Sequence, residues 1–364
     1  MRIELEKRPN VSKLFGFVSP LLALVLTLAA GLVMFSLLGK DPLESLDALF
    51  LEPLLDIWSL HELAVKAAPL ILIAAGLIIC YRSNNWNIGA EGQFTVGAMF
   101  GSAIPILTDW QSPLVLPAML ILGAIGGALY AGIPALLKAH FNTNEILTSL
   151  MLVYISQLFL DWLIRGAWRN PEGHNFPQSR DFAPDAVLPA IWPDSGRTHW
   201  GFIFAIVAAV LIWFMMRYTL KGFEIVVLGQ SERAGRFAGF SSRGMVWFSF
   251  LLSGALAGIA GISEVSGSIG HLQPNISPGY GFTAIIVAFL GRLNPLGIIA
   301  SGLVLALTYV GGEAAQLSIG VSEKVTHAFQ GLLLFFVLSC DTLIYYRIRL
   351  VASRAKLGAG EAAR

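Results

Sequence analysis

Residues 63–93, LAVKAAPLILIAAGLIICYRSNNWNIGAEGQ, join an apolar run over 63–81 to a polar, glycine-bearing segment. An apolar run of about 20 residues is what a helix needs to cross the hydrocarbon core of a bilayer. The polar half, Asn84-Asn-Trp-Asn-Ile-Gly-Ala-Glu-Gly-Gln93, leads directly into a second, shorter apolar segment over 94–108. Backbone of this kind persists at membrane depth only where protein or a water-filled cavity satisfies its N–H and C=O groups. The two halves together predict a helical membrane protein with a pathway through it.

Composition extends this reading to the whole chain. Of 364 residues, 55% are hydrophobic and 13% charged, with a mean hydropathy of +0.70. A soluble domain carries about 25% charged residues. Apolar segments fall at 14–38, 63–81, 94–108, 113–137, 146–164, 201–216, 246–264, 280–291, 295–311 and 325–345. The first follows Arg2, Lys7, Arg8 and Lys13, and it is too long for the core of a signal peptide, so it reads as a retained helix. Placing the N-terminus inside puts 17 of the 24 Lys and Arg residues on the cytoplasmic side, as the positive-inside rule asks. The fold class expected is an all-α polytopic membrane protein of about ten transmembrane helices with both termini cytoplasmic. Its parts are a cytoplasmic tail over 1–13, a single transmembrane domain over 14–345 and a cytoplasmic tail over 346–364.

Two connections are longer than turns. The external 165–200 carries five prolines with Trp168, Trp192 and Trp200, and reads either as a lid on the helix ends or as a landing surface for an extracytoplasmic partner. The internal 217–245 is basic, and Ser231-Glu-Arg-Ala-Gly-Arg-Phe-Ala-Gly239 within it suits a short amphipathic helix. Cys80 and Cys340 fall at helix ends on the reducing side, where no disulfide is expected. A net charge of +1 leaves no electrostatic footprint for nucleic acid. The chain lacks a Gly-x-x-x-x-Gly-Lys-Ser/Thr loop, a Gly-x-Ser-x-Gly elbow and any close His/Cys/Asp/Glu cluster, so neither catalytic residues nor a metal site is expected.

Polar residues inside such a chain are costly and mark candidates for the pathway. Asn87, Glu91 and Gln93 stand in the first polar segment, where capping of the following helix is the plainer alternative. Asn144 and Glu145 open the 146–164 helix, with Asn144 also a good N-cap and Glu145 favoured at the positive helix end. Tyr280 and Phe282 begin the run Gly279–Gly297, where two short apolar segments meet at a Gly-Arg-Leu-Asn-Pro turn. Their rings suit stacking on a planar base or an interfacial belt. The pairs Gly97 and Gly101, Gly123 and Gly127, and Gly254 and Gly258 carry the spacing that lets helices approach closely.

The segments Asn87-Ile-Gly-Ala-Glu-Gly-Gln93, Asn144-Glu-Ile-Leu-Thr-Ser-Leu-Met-Leu-Val-Tyr154 and Gly279–Gly297, in this order, resemble the branched-chain amino acid and simple-sugar permease superfamily of ABC importers. Within it, the spelling of the first two looks like the bacterial nucleoside permeases. The resemblance implies a multi-pass protein of the bacterial inner membrane, with helices two to five and seven to ten as inverted repeats. It implies a second permease subunit in a heterodimer, a cytoplasmic ABC ATPase that holds ATP and Mg, and an extracytoplasmic binding protein or lipoprotein. No cofactor belongs to the chain itself, and lipid surrounds it. The 217–245 loop would be the coupling loop, with Ser231, Glu232, Arg233, Arg236 and Gly239 docking on the ATPase. Here the sequence departs from the family's acidic-Ala-Ala spelling, reading Glu232-Arg-Ala-Gly235. A sugar or amino-acid permease, and an ion-coupled secondary transporter, remain the rival readings.

Overall fold

The computed structural model describes residues 2–7, 13–108, 110–173, 176–191 and 197–351. The tail beyond 351, and Trp192 and Pro193 of the long external loop, lie outside them. The chain divides into two compact units, residues 1–43 with 327–364, and residues 44–326.

The first unit contains α1 (Lys13–Leu37), most of α14 (Glu323–Tyr345), and strands β1 (Arg2–Lys7) and β2 (Tyr346–Val351). The strands pair antiparallel, Arg2 opposite Val351 through Lys7 opposite Tyr346. This ribbon is the departure from an all-α chain. It joins parts of the two tails that the sequence left without structure.

In the second unit the helices follow in the order α2 (Pro42–Leu46), α3 (Glu52–Leu55), α4 (Ile57–Arg82), α5 (Ala90–Leu107), α6 (Val115–Phe141) and α7 (Glu145–Arg165). Then come α8 (Gly201–Tyr218), α9 (Leu220–Gln230), α10 (Glu232–Phe237), α11 (Ser242–Glu264), α12 (Tyr280–Leu290) and α13 (Gly297–Ile319). Every apolar segment read from the sequence lies in one of these helices, in α1 or in α14. Among the described residues, six are long and apolar enough to cross a membrane: α4, α6, α7, α8, α11 extended to Ile269, and α13. The helices outrun the apolar runs where charges stop the hydropathy signal, so α4 starts before the 63–81 run and takes in Glu62, and α13 takes in Glu313.

Local chemistry sets the boundaries. Asp56 caps α4, its Oδ2 accepting from the Ser59 N–H and hydroxyl at 2.9 Å each; these bonds hold its carboxyl below the usual range. Asn84 and Asn142 adopt left-handed φ values of 57° and 52° just after α4 and α6, where asparagine is the best substitute for glycine. Ser231 and Ser241 cap α10 and α11 through the amides of Ala234 and Gly244.

Helix α11 is central, packing on α4, α5 and α6, while α4 packs further on α8, α12 and α13. The three small-residue pairs meet at one crossing. A Cβ on Gly97 would strike Gly258, and one on Gly127 would strike Gly254, so glycine there sets how close α5, α6 and α11 lie. By contrast α7 turns Leu147, Met151, Ile155, Leu158 and Trp162 outward. Such a face suits hydrocarbon and would be an aggregation surface in water. The protein is a multi-pass membrane protein.

The described part of the 165–200 loop is folded onto the bend after α11. Val265–Ile269 form a π-type turn ending at Gly270 with φ of 80°. The Phe182 N–H donates to the Gly270 carbonyl at 2.8 Å, Ser179 exchanges two bonds of 2.9 Å with Leu272, and the Leu188 N–H reaches Ser266 O at 3.1 Å.

Candidate solute pathway and coupling helix

The segment after α4 turns inward and satisfies itself. Asn87, fully buried, donates to Gln93 Oε1 at 3.0 Å and to Ser253 Oγ at 3.1 Å, while its own Oδ1 accepts from Gln93 Nε2 and the Gly89 N–H, each at 3.0 Å. This reciprocal amide pair ties the start of α5 to α11.

Glu91 lies in the first turn of α5 with 1% of its surface exposed. It does not cap its own helix. Its Oε2 accepts from the Gly281 N–H at 2.5 Å, in the first turn of α12. A carboxylate is stabilised by the free amides and the dipole of a helix N-terminus. Gly281 has to be glycine, because a Cβ there would collide with the Glu91 backbone. The N-terminal ends of α5 and α12 therefore converge, 190 residues apart in sequence.

Around this junction stand aromatic rings. Tyr280 is fully buried, edge-on to Phe94 with centroids 6.1 Å apart and to Tyr309 at 5.6 Å. Its hydroxyl reaches Glu264 Oε1 at 3.5 Å, and Tyr309 shares a 2.7 Å bond with Thr283. Phe282 is not brought to this cluster, being 38% exposed. Two residues along a helix point to nearly opposite sides. Tyr81, Trp86 and Phe289 make a second aromatic group, the Tyr81 and Phe289 rings stacked at 5.3 Å.

Asn144 and Glu145 sit apart from that junction. Asn144 Oδ1 accepts from the Ile146 and Leu147 amides, the capping role. Glu145 takes Lys138 Nζ at 2.5 Å and the Trp86 N–H at 3.2 Å, and Lys138 also donates to Asn85 Oδ1 at 2.8 Å. Asn85 continues to Ser249 Oγ at 3.2 Å. Beside this network lies a polar pocket of about 460 Å³ lined by Asn84, Asn85, Lys138, Glu232, Arg236 and Arg243, among others. It places two of the predicted coupling residues, Glu232 and Arg236, across from Ser83, Asn84 and Asn85.

Helix α10 carries those residues. Glu232 and Arg236 form an i,i+4 ion pair at 2.5 Å, and Arg236 Nε donates to Ser242 Oγ at 3.2 Å. Gly239 ends the turn with φ of 85°, a conformation glycine adopts without strain. Phe237 protrudes, 97% exposed. A ring left wholly outside on a six-residue helix is a feature the apolar-run reading did not single out.

The opposite end of the seam was also missed. Arg197 Nε bonds Glu62 Oε1 at 2.8 Å, Lys66 bonds Glu313 at 3.1 Å, and Glu264 is 5% exposed. Bonding to Glu62 raises the Arg197 pKa. His199, at the start of α8, donates or accepts at Ser268 Oγ at 3.3 Å and takes the Gly201 N–H on Nδ1; burial lowers its pKa to about 4. Cys80 is a buried thiol bonded to the Ser249 carbonyl at 3.2 Å, and Cys340 is also buried.

Known proteins share this chain's pattern. The family described as branched-chain amino acid transport system / permease component matches residues 59–338. A glucose ABC transporter permease of Haloferax volcanii is 34% identical over 97% of this chain and 95% of its own. A guanosine ABC transporter permease of Bacillus subtilis is 29% identical over 95% of this chain and 98% of its own. A nucleoside ABC transporter permease of Lactococcus lactis is 27% identical over 87% and 89%. With the family match spanning most of its length, this chain belongs to the branched-chain amino acid transport system / permease component family and is an ABC transporter permease.

Proposed function

We propose that this permease is the membrane subunit of an importer in the bacterial inner membrane that carries nucleosides inward by alternating access. The observation that carries this reading is the meeting of α5 and α12 through Glu91 and Gly281. In the ten-span arrangement with both termini cytoplasmic, α4 to α7 and α11 to α14 are the inverted repeats. Helices α5 and α12 then hold corresponding places, second in each repeat. Short or interrupted helices at corresponding positions of two repeats mark the solute site of transporters. Asn87, Glu91, Gln93 and Tyr280 belong to that site, with Asn144 and Glu145 shaping its cytoplasmic end. Phe282, by its exposure, is a surface residue.

The partners are a second permease subunit, a cytoplasmic ATPase that binds ATP and Mg, and an extracytoplasmic binding protein or lipoprotein. Helix α10 is the coupling helix. Its residues Ser231, Glu232, Arg233, Arg236 and Gly239, with the protruding Phe237, contact the ATPase, and the adjoining pocket transmits the movement to Asn85 and Lys138. The Lactococcus and Bacillus relatives named for nucleosides and guanosine support the substrate. The Haloferax relative favours a second reading, a simple sugar.

Uptake of radiolabelled guanosine, uridine and glucose into cells with and without this gene tests both. Loss of nucleoside uptake is expected. Loss of glucose uptake alone selects the sugar reading, and transport that follows an ion gradient without any ATPase removes the importer.

A further inference from the structure

At the end of the seam away from α10, the sequence Ile262-Ser-Glu-Val-Ser266 runs from α11 into its π-type turn. Glu264 is buried here with Oε1 held loosely by the Tyr280 hydroxyl at 3.5 Å. Its Oε2, and the hydroxyl oxygens of Ser263 and Ser266 beside it, have no hydrogen-bond partner among the described residues. A buried carboxylate oxygen without a donor is costly. Where a structure tolerates one, the missing donor is supplied by something that comes and goes.

Three neighbouring features say what kind of donor. First, the nearby cations are engaged elsewhere, Lys66 with Glu313 and Arg197 with Glu62. Neither closes on Glu264. Second, Glu62 also keeps one buried oxygen, Oε2, without a partner, so two carboxylate oxygens here lack a donor. An anion would be repelled, and a neutral group bearing several O–H donors would be held. Third, the rings of Tyr280 and Tyr309, 5.6 Å apart, line the same place, and an aromatic face beside a carboxylate suits the C–H face and hydroxyl edge of a sugar ring.

We infer that Glu264, braced by Tyr280, is a binding station for the vicinal hydroxyls of a sugar ring passing along the pathway. The inference rests on the solute-importer reading and extends it by naming the group on the solute that is gripped. The ring can belong to a free sugar or to the ribose of a nucleoside.

The complete transporter, reconstituted in proteoliposomes with its ATPase and with binding protein saturated by each solute, separates these cases. Saturation removes the binding protein's own preference from the rate. The probes are uridine, 2′,3′-dideoxyuridine and glucose. The wild type is expected to move uridine about tenfold faster than the dideoxy analogue, the factor that one hydrogen bond to a charged group is worth. In Glu264→Gln the ratio is expected to fall toward one, because the variant removes the charge and turns one of the two acceptor oxygens into an NH2 donor while keeping the path. A ratio unchanged in E264Q overturns the station and leaves the importer standing. No transport of any probe by the wild type overturns both. Glucose transport in place of uridine, slowed about tenfold in E264Q, assigns the ring to a free sugar. Should E264Q fail to assemble, Tyr280→Phe removes only the bracing hydroxyl; a lowered uridine ratio supports the station and an unchanged ratio overturns it.

Discussion

Replacing Phe237 by alanine separates docking from folding. The side chain is 97% exposed, so its removal costs the isolated permease almost nothing. If the ring is buried by the ATPase, its transfer out of water contributes about 2 kcal/mol. The loss corresponds to a factor of about 30 in affinity. Titration of the purified ATPase into the permease in nanodiscs, followed by light scattering or fluorescence, reads that factor directly. Transport per ATP hydrolysed should fall alongside it, while the thermal midpoint of the permease alone stays put. A contrast comes from Glu232→Ala, which breaks an ion pair whose side chains are 58% and 68% exposed. Such a pair is worth at most about 1 kcal/mol, so E232A should weaken binding less than tenfold unless Glu232 itself meets the ATPase. Unaltered affinity and coupling in F237A would refute the placement of the ATPase on this face of α10.

Other parts of the molecule give sharp expectations. Gly258→Val should block assembly of the α5, α6 and α11 crossing, because even a Cβ there meets the Gly123 backbone; the readout is loss of monodisperse protein in detergent. Lys138→Met removes the cation that Glu145 and Asn85 share and leaves Glu145 only the Trp86 N–H, and a cost of about 2 kcal/mol is expected for a partly buried pair. Adding Glu145→Gln should recover part of that loss in a thermal melt. For His199, a folded pKa of about 4 lies below the ordinary histidine value of about 6.5, so the neutral ring is the form that fits. Stability should be full above pH 6.5 and decline by about 3 kcal/mol as pH falls to 4. His199→Gln should flatten that stretch of the stability profile.

How much of this was legible in the sequence depended on how local the cause was. Apolar runs and the glycine spacings are local; the runs located the helices, and the spacings marked close packing whose partners, at the α5, α6 and α11 crossing, only the structure shows. Asn144 caps the helix it precedes, as its position alone suggests. Charge misled a boundary, since Glu313 lies beyond the 295–311 run yet is in α13, where it bonds Lys66 of α4 at 3.1 Å. Glu91 was recognisable as unusual, yet its partner is the Gly281 amide of α12, a pairing no local pattern carries. Tyr280 and Phe282 looked equivalent as aromatics, and only the helical turn between them sends one to the core and the other outward. Glu264 gave the faintest signal, for a glutamate closing an apolar run reads as a helix end at the membrane surface.

The two buried carboxylates show that burial alone does not say what a charged group does. Glu91 is answered by the amide of Gly281, a fixed donor at the start of a helix that cannot leave without unwinding α12. Its charge is committed to holding two helix ends together. Glu264 is answered only by a 3.5 Å contact from Tyr280 and keeps an oxygen unsatisfied. The first arrangement gains rigidity from its hydrogen bond, and the second retains a capacity to accept one. A pathway needs both in sequence along its walls: a firm junction about which the repeats move, and a half-satisfied acceptor that a passing solute completes and then releases.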